Sequence, residues 1–160
     1  MAKSMWWASA AAYVAVIVWA AFVLPAQGVV SHLGADGTPD DVGSRVEFIG
    51  VNIGLMLLML VVTPWIISAS TRMPAAFLNM PRKDYWLAPE RADATLALVR
   101  SHLWWVLAAT NLVVVAAMLD LVSLTLQGRE LFGMWPFVVY MVGVLAWTVW
   151  FIRHFNRVPE

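Results

Sequence analysis

The chain of 160 residues contains no cysteine. That one absence removes disulfides, thiolate metal sites, iron–sulfur clusters and cysteine nucleophiles together, and it leaves the redox compartment unmarked. Charge is scarce as well. Asp, Glu, Lys and Arg make up 12% of the residues, where an ordinary soluble domain carries roughly 25%. The ten basic residues balance the ten acidic ones, and no block of like charge exists. The basic face that a nucleic-acid binder needs is therefore missing. Catalytic signatures are missing too: there is no HExxH, GxSxG, Walker loop or GxGxxG. No catalytic residue, cofactor or metal is assigned, and the chain reads as non-enzymatic.

What is present is apolar. Hydrophobic residues make up 62% of the chain, against roughly 45–50% in soluble domains. A chain this short of polar groups cannot cover its own apolar surface, so the surplus must face lipid. Four runs stand out, Met5–Leu24, Val46–Ile67, Leu103–Leu126 and Trp135–Ile152. Each has the length, roughly 17–25 residues, that crosses a hydrocarbon core of about 30 Å. In lipid every backbone group must be satisfied within the segment, so each run is predicted to be a helix. The first run exceeds the 7–15 residues typical of a signal-peptide core and is read as a retained anchor. The predicted architecture is an all-α membrane domain with four spanning helices. A helix hairpin over 5–67 and a second over 103–155 are joined by a connector over 68–102.

Basic residues set the expected orientation. Lys3, Arg72, Arg82, Lys83, Arg91, Arg100, Arg153 and Arg157 fall on one side, and Arg45 and Arg129 on the other. The positive-inside rule then puts both termini and the connector in the cytoplasm. Eight of the ten tryptophans lie toward that same face, as an interfacial aromatic belt does. His102 and the Arg153-His154 pair read as headgroup-level anchors.

The second run contains "GVNIG", with Gly50 and Gly54 four apart and Asn52 between them. Small residues at that spacing let a neighbouring backbone approach, so this face is expected to pack on another helix of the same chain. "ASAAAYVAV" gives the first helix a similarly smooth surface. Thr63-Pro64 is expected to end or kink the second helix.

Three polar stretches interrupt the apolar pattern. "LPAQGVVSHLGADGTPDDVGSR" forms the first outer loop. Its His32, Asp36, Asp40 and Asp41, with Glu47 just beyond, are ligand types for a divalent metal. The same Asp, Gly and Pro residues also build successive turns, and the turn reading is preferred. Asp120 is the one acidic residue inside a spanning run. A charge costs less near the helix end than at the bilayer centre, and pairing with Arg45 or Arg129 would explain it as well as a proton- or cation-linked site would. Asn111 lies nine residues earlier, half a turn out of phase with it. Third is the elbow "NMPRKDYWLAPER". Here Asp84 suits an N-cap, Tyr85 and Trp86 suit the interface, and Pro89 and Glu90 suit the first turn of a long helix that passes Arg91 and Asp93.

The outer loop resembles that of a small bacterial membrane domain, the domain of unknown function sixteen forty-eight, which also forms the N-terminal part of SdpI immunity proteins. The matching residues are Leu24-Pro25, His32, Gly37-Thr38-Pro39-Asp40 and Ser44-Arg45. The elbow is similar to the connector of short relatives. Where relatives often carry Pro or aromatic residues, this chain has Val30, Leu33 and Val42. The resemblance implies a small polytopic protein without established catalysis, whose better-known relatives act in immunity and signal transduction.

The expected function is a binding or sensing module in the bilayer, meeting another membrane protein or an envelope peptide. Its outer site would comprise His32, Asp36, Pro39, Asp40, Arg45, Glu47 and Asp120. A cytoplasmic docking elbow would comprise Asp84, Tyr85, Trp86, Pro89, Glu90 and Arg91. An accessory subunit of a larger complex is the alternative, with the Gly50/Gly54 and alanine faces meeting foreign helices. A small ion-coupled transporter using Asp120 is a third.

Overall fold

The computed structural model describes residues 1–34, 37–70, 72 and 79–158. In chain order it contains α1 (Ala2–Val23), β1 (Gln27–Leu33), β2 (Pro39–Ser44), α2 (Arg45–Ser70), the single turn α3 (Lys83–Trp86), α4 (Ala92–Gln127) and α5 (Trp135–Asn156). Four of these helices, α1, α2, α4 and α5, are long and apolar enough to cross a membrane. The longest, α4, has 36 residues. At 1.5 Å per residue it is about 54 Å long, well beyond a hydrocarbon core of about 30 Å.

The protein is mostly helical but not all-α. Strands β1 and β2 pair antiparallel, with Gln27 opposite Ser44, Val30 opposite Val42 and His32 opposite Asp41. Irregular register steps twist this short ribbon along its length. The outer loop was expected to be a succession of turns. Instead its described backbone groups largely pair with each other as two strands, and at the ribbon's tip Gly34 N donates to Thr38 O and Gly37 N to Gly34 O.

The core lies at the ribbon end of the bundle. Tyr13, Ile17, Ala20 and Leu24 of α1 meet Val115, Met118 and Val122 of α4, with Val29 of β1 and Phe48 of α2 closing the cluster. α1 packs most extensively on α4, and small residues allow it. Ser9 and Ala10 on α1 and Ala108 on α4 are all buried, so one side of the alanine-rich stretch packs within the chain, while Ala8, Ala11 and Ala15 stay exposed. Near the other end Trp6 is fully buried, tilted against Trp104 at 5.2 Å. It is a packing residue and not part of an interfacial belt.

Several local expectations change. α2 continues six residues beyond Pro64, so Thr63-Pro64 does not end it; Thr63 is buried. Gly50 and Gly54 carry no helix packing within the described residues, because a Cβ at either would meet nothing within 4 Å. The contact stripe of α2 is instead Phe48 and Asn52. Tyr13 donates its hydroxyl to Asn52 Oδ1 at 3.0 Å, and Asn52 Nδ2 donates to Phe48 O. Arg82, with φ 48°, precedes α3 as its N-cap; Asp84 sits inside that helix and makes no cap. Pro89 lies in the turn before α4, whose N-cap is Arg91.

Candidate functional site

Two segments close over one end of the bundle, the β1–β2 ribbon and the loop 128–134 between α4 and α5. Polar side chains in the last turns of α4 fasten both. Thr125 Oγ1 accepts Val30 N at 3.0 Å and donates to Leu121 O, which ties the ribbon to the helix. Ser123 Oγ donates to Arg129 O at 2.7 Å. Asp120 Oδ1 accepts two backbone N–H groups, Leu131 at 2.7 Å and Phe132 at 2.8 Å. The carboxylate is 4% exposed, and its partner is backbone rather than Arg45 or Arg129. Asn111 faces the other way, donating to Ser9 Oγ on α1. The helix ends at Gly128, left-handed at φ 68°, whose N–H returns to Leu124 O.

Between ribbon and loop lies a cleft of about 1000 Å³. Ser31, His32 and Leu33 of β1 form one wall, Asp120 and Glu130 another, and Val113, Ala117 and Phe137 add apolar lining. His32 Nδ1 stands 2.6 Å from Asp40 Oδ1 across the ribbon, and Ser31 Oγ donates to Asp41 Oδ2 at 2.8 Å. Gly133, at φ 58°, leaves room for Glu130. A Cβ there would come within 2.7 Å of the Glu130 carboxylate, so any other residue would be both strained and crowded. No Lys or Arg lines the cleft among the described residues. Its carboxylates are those of Asp120 and Glu130, an electrostatic setting that favours a positively charged occupant.

The other expected outer-site residues disperse. Pro39 opens β2 and is exposed, and Asp36 lies outside the described residues. Arg45 Nη1 donates to Leu24 O, and its N–H to Ala26 O, which caps the end of α1. Glu47 turns back to Ser44: Ser44 N and Oγ donate to Glu47 Oε2, and Glu47 N donates to Ser44 Oγ. This is a capping box at the start of α2, and Ser44-x-x-Glu47 ahead of an apolar run is its sequence signal. Among the described residues, no three His, Asp or Glu side chains are placed to hold one metal ion. Glu130 was not among the sequence candidates. Nothing in "LQGRELFGM" marks it, because its position depends on how Asp120 folds the loop.

At the opposite end the elbow turns inward. Trp86 Nε1 donates to Phe155 O at 2.8 Å and Arg82 Nε to Asn156 O at 2.9 Å, so the elbow satisfies carbonyls that α5 leaves open at its last turn. Arg91 lies 4.1 Å above the Tyr85 ring, donates Nε to Tyr85 O and pairs with Glu90 at 3.1 Å. The elbow's exposed face is Lys83, Asp84, Pro89 and Glu90. Four transmembrane-length helices, a ribbon over a cleft at one end and an inward-folded elbow at the other thus define the molecule. Compared with known proteins, the chain matches no family model, no curated protein and no solved structure.

Proposed function

We propose that this is a non-enzymatic binding module of a bacterial inner membrane, with four spanning helices, both termini cytoplasmic and the ribbon outside. In this reading the outer cleft receives a cationic group, an amine or a basic peptide segment of the envelope, at Glu130 and the His32–Asp40 pair. The observation that carries it is the cleft itself, about 1000 Å³, with Asp120 and Glu130 beside a largely apolar lining and no described Lys or Arg. The resemblance of the loop 24–45 to that of the domain of unknown function sixteen forty-eight agrees with such a role. The test is a thermal-shift titration of the purified protein with spermidine and with a tetralysine peptide. At least one probe should raise the melting temperature of the parent and not that of Glu130→Gln. No shift with either probe would overturn the cationic assignment.

A second reading, an accessory subunit in a larger membrane complex, draws on a separate observation: the Gly50/Gly54 face of α2 is open. A foreign helix seated there would be displaced by Gly54→Leu. Native mass spectrometry of the protein from its own membranes decides this reading, since a stoichiometric partner supports it and a lone chain counts against it.

A further inference from the structure

The last turn of α5 carries Arg153 and His154, its C-cap is Arg157, and the elbow builds a wall beside these three potential cations. His154 is stacked between two indoles, Trp86 at 5.3 Å and 27° and Trp150 at 5.0 Å and 20°. Trp86 is held in place by its bond to Phe155 O. The result is a crevice of about 560 Å³ lined by Trp86, Val149, Trp150, Arg153, His154 and Arg157. The ion pairs among the described residues are His32–Asp40 and Arg91–Glu90, so no described carboxylate neutralises Arg153 or Arg157. Arg153 on the last turn of α5 and Arg157 just past its end both line the crevice; guanidinium groups are the donors that grip a phosphate, and the indoles give the crevice an apolar collar.

A second cavity approaches this crevice. α4 and α5 are pinned together at two polar points, Thr110 Oγ1 to the Tyr140 hydroxyl at 2.9 Å and Trp147 Nε1 to His102 Nδ1 at 3.2 Å. Between and beyond these points runs an apolar groove of about 790 Å³, walled by Trp105, Leu112, Val139 and Trp147. Gly143 lines it and has open space where a Cβ would stand. The His102 ring at its end lies 4.7 Å from Trp150, which also lines the crevice. An apolar groove therefore leads to a cationic pocket, and the pair fits one amphipathic molecule.

We infer that α4 and α5 form a binding site for one anionic phospholipid, its phosphate held by Arg153 and Arg157 and an acyl chain laid along the groove past Gly143. The inference rests on the reading of the bundle as bilayer-embedded. Charge complementarity selects the headgroup, since each basic side chain near an anionic surface adds about 1 kcal/mol.

The test is native mass spectrometry of the full chain in mild detergent, titrated with phosphatidylglycerol or phosphatidylcholine of identical chains, and with glycerol phosphate as a chainless anion. The parent should retain phosphatidylglycerol about tenfold or more over phosphatidylcholine, the ratio that two such contacts support. Arg153→Gln/Arg157→Gln should bring the two lipids to parity with unchanged far-UV circular dichroism. Gly143→Leu, which fills the groove, should weaken retention of both. Equal retention of the two lipids by the parent, or an undiminished preference in the double variant, would overturn the site. Glycerol phosphate competing as well as the lipid would overturn the lipid assignment in favour of a free anion. Failure of the membrane reading looks different, because the protein would then be recovered without detergent and without lipid of either kind.

Discussion

At Asp120 a single carboxylate oxygen receives the N–H groups of Leu131 and Phe132, and that geometry separates two substitutions that both remove the charge. Asp120→Asn keeps an oxygen for the two donors and should cost little. Asp120→Ala leaves both donors without a partner, at about 1–3 kcal/mol for a buried group and toward the lower end in this partly buried loop. Thermal unfolding in detergent should therefore rank parent, Asn and Ala in that order, with the larger step to Ala. A proton-coupled role for Asp120 predicts the opposite emphasis, function lost in Asn with stability kept. The capping box allows a similar measurement. Ser44→Ala removes the hydroxyl that accepts Glu47 N and should lower stability by about 1 kcal/mol, without altering the cleft. At this scale the sequence was uneven. Asp120 stood out because a charge in an apolar run must have a reason, and Ser44-x-x-Glu47 is legible by spacing. Glu130 and Thr125 were not legible, because each owes its role to a partner that is distant in the chain or placed by the fold of a loop.

Among the elements, the four helices of transmembrane length were readable from length and apolar content, since lipid leaves a backbone few other choices. The ribbon was not. β2 reads "PDDVGS", with one β-branched residue, two aspartates and a glycine, a composition that favours turns. It becomes a strand because Val29 is drawn into the core and Val30 N is held by Thr125, which fixes β1 and offers β2 an edge to pair with. The elbow was half legible: its prolines announced a break, but not that Trp86 would fold onto α5. That contact can be tested directly. Trp86→Ala removes a hydrogen bond of about 0.5–1.5 kcal/mol and a stacking contact of similar size, so opening of the elbow should rise by about tenfold or more. Tryptic cleavage at Arg82, Lys83 and Arg91 should accelerate accordingly, with Trp86→Phe intermediate because it keeps a ring against His154. Equal cleavage rates in all three proteins would show that the elbow is not held by this contact.

Across the whole molecule, burial is strongly one-sided. α1 and α4 hold the core, while none of the apolar window of α5 and only 11% of that of α2 is buried. Large side chains such as Val51, Leu57, Val61, Val139, Val142 and Leu145 are exposed along those two helices. In water that much contiguous apolar surface would drive association. In a bilayer it is the ordinary condition of a helix face, and the polar structure is then segregated to the two ends, ribbon and cleft at one, elbow and arginines at the other. This segregation gives orientation a direct test, made easier because the native chain has no cysteine. Single reporters at Val42→Cys in the ribbon and Arg129→Cys in the α4–α5 loop should react with an impermeant maleimide on intact spheroplasts. Reporters at Lys3→Cys and Lys83→Cys should react only after lysis. The reverse pattern would invert the molecule and place the acidic cleft in the cytoplasm, where an envelope ligand could not reach it. Labelling of all four positions before lysis would mean that the apolar faces of α2 and α5 are covered by something other than lipid, and a second protein would then be the remaining physical way to shield them.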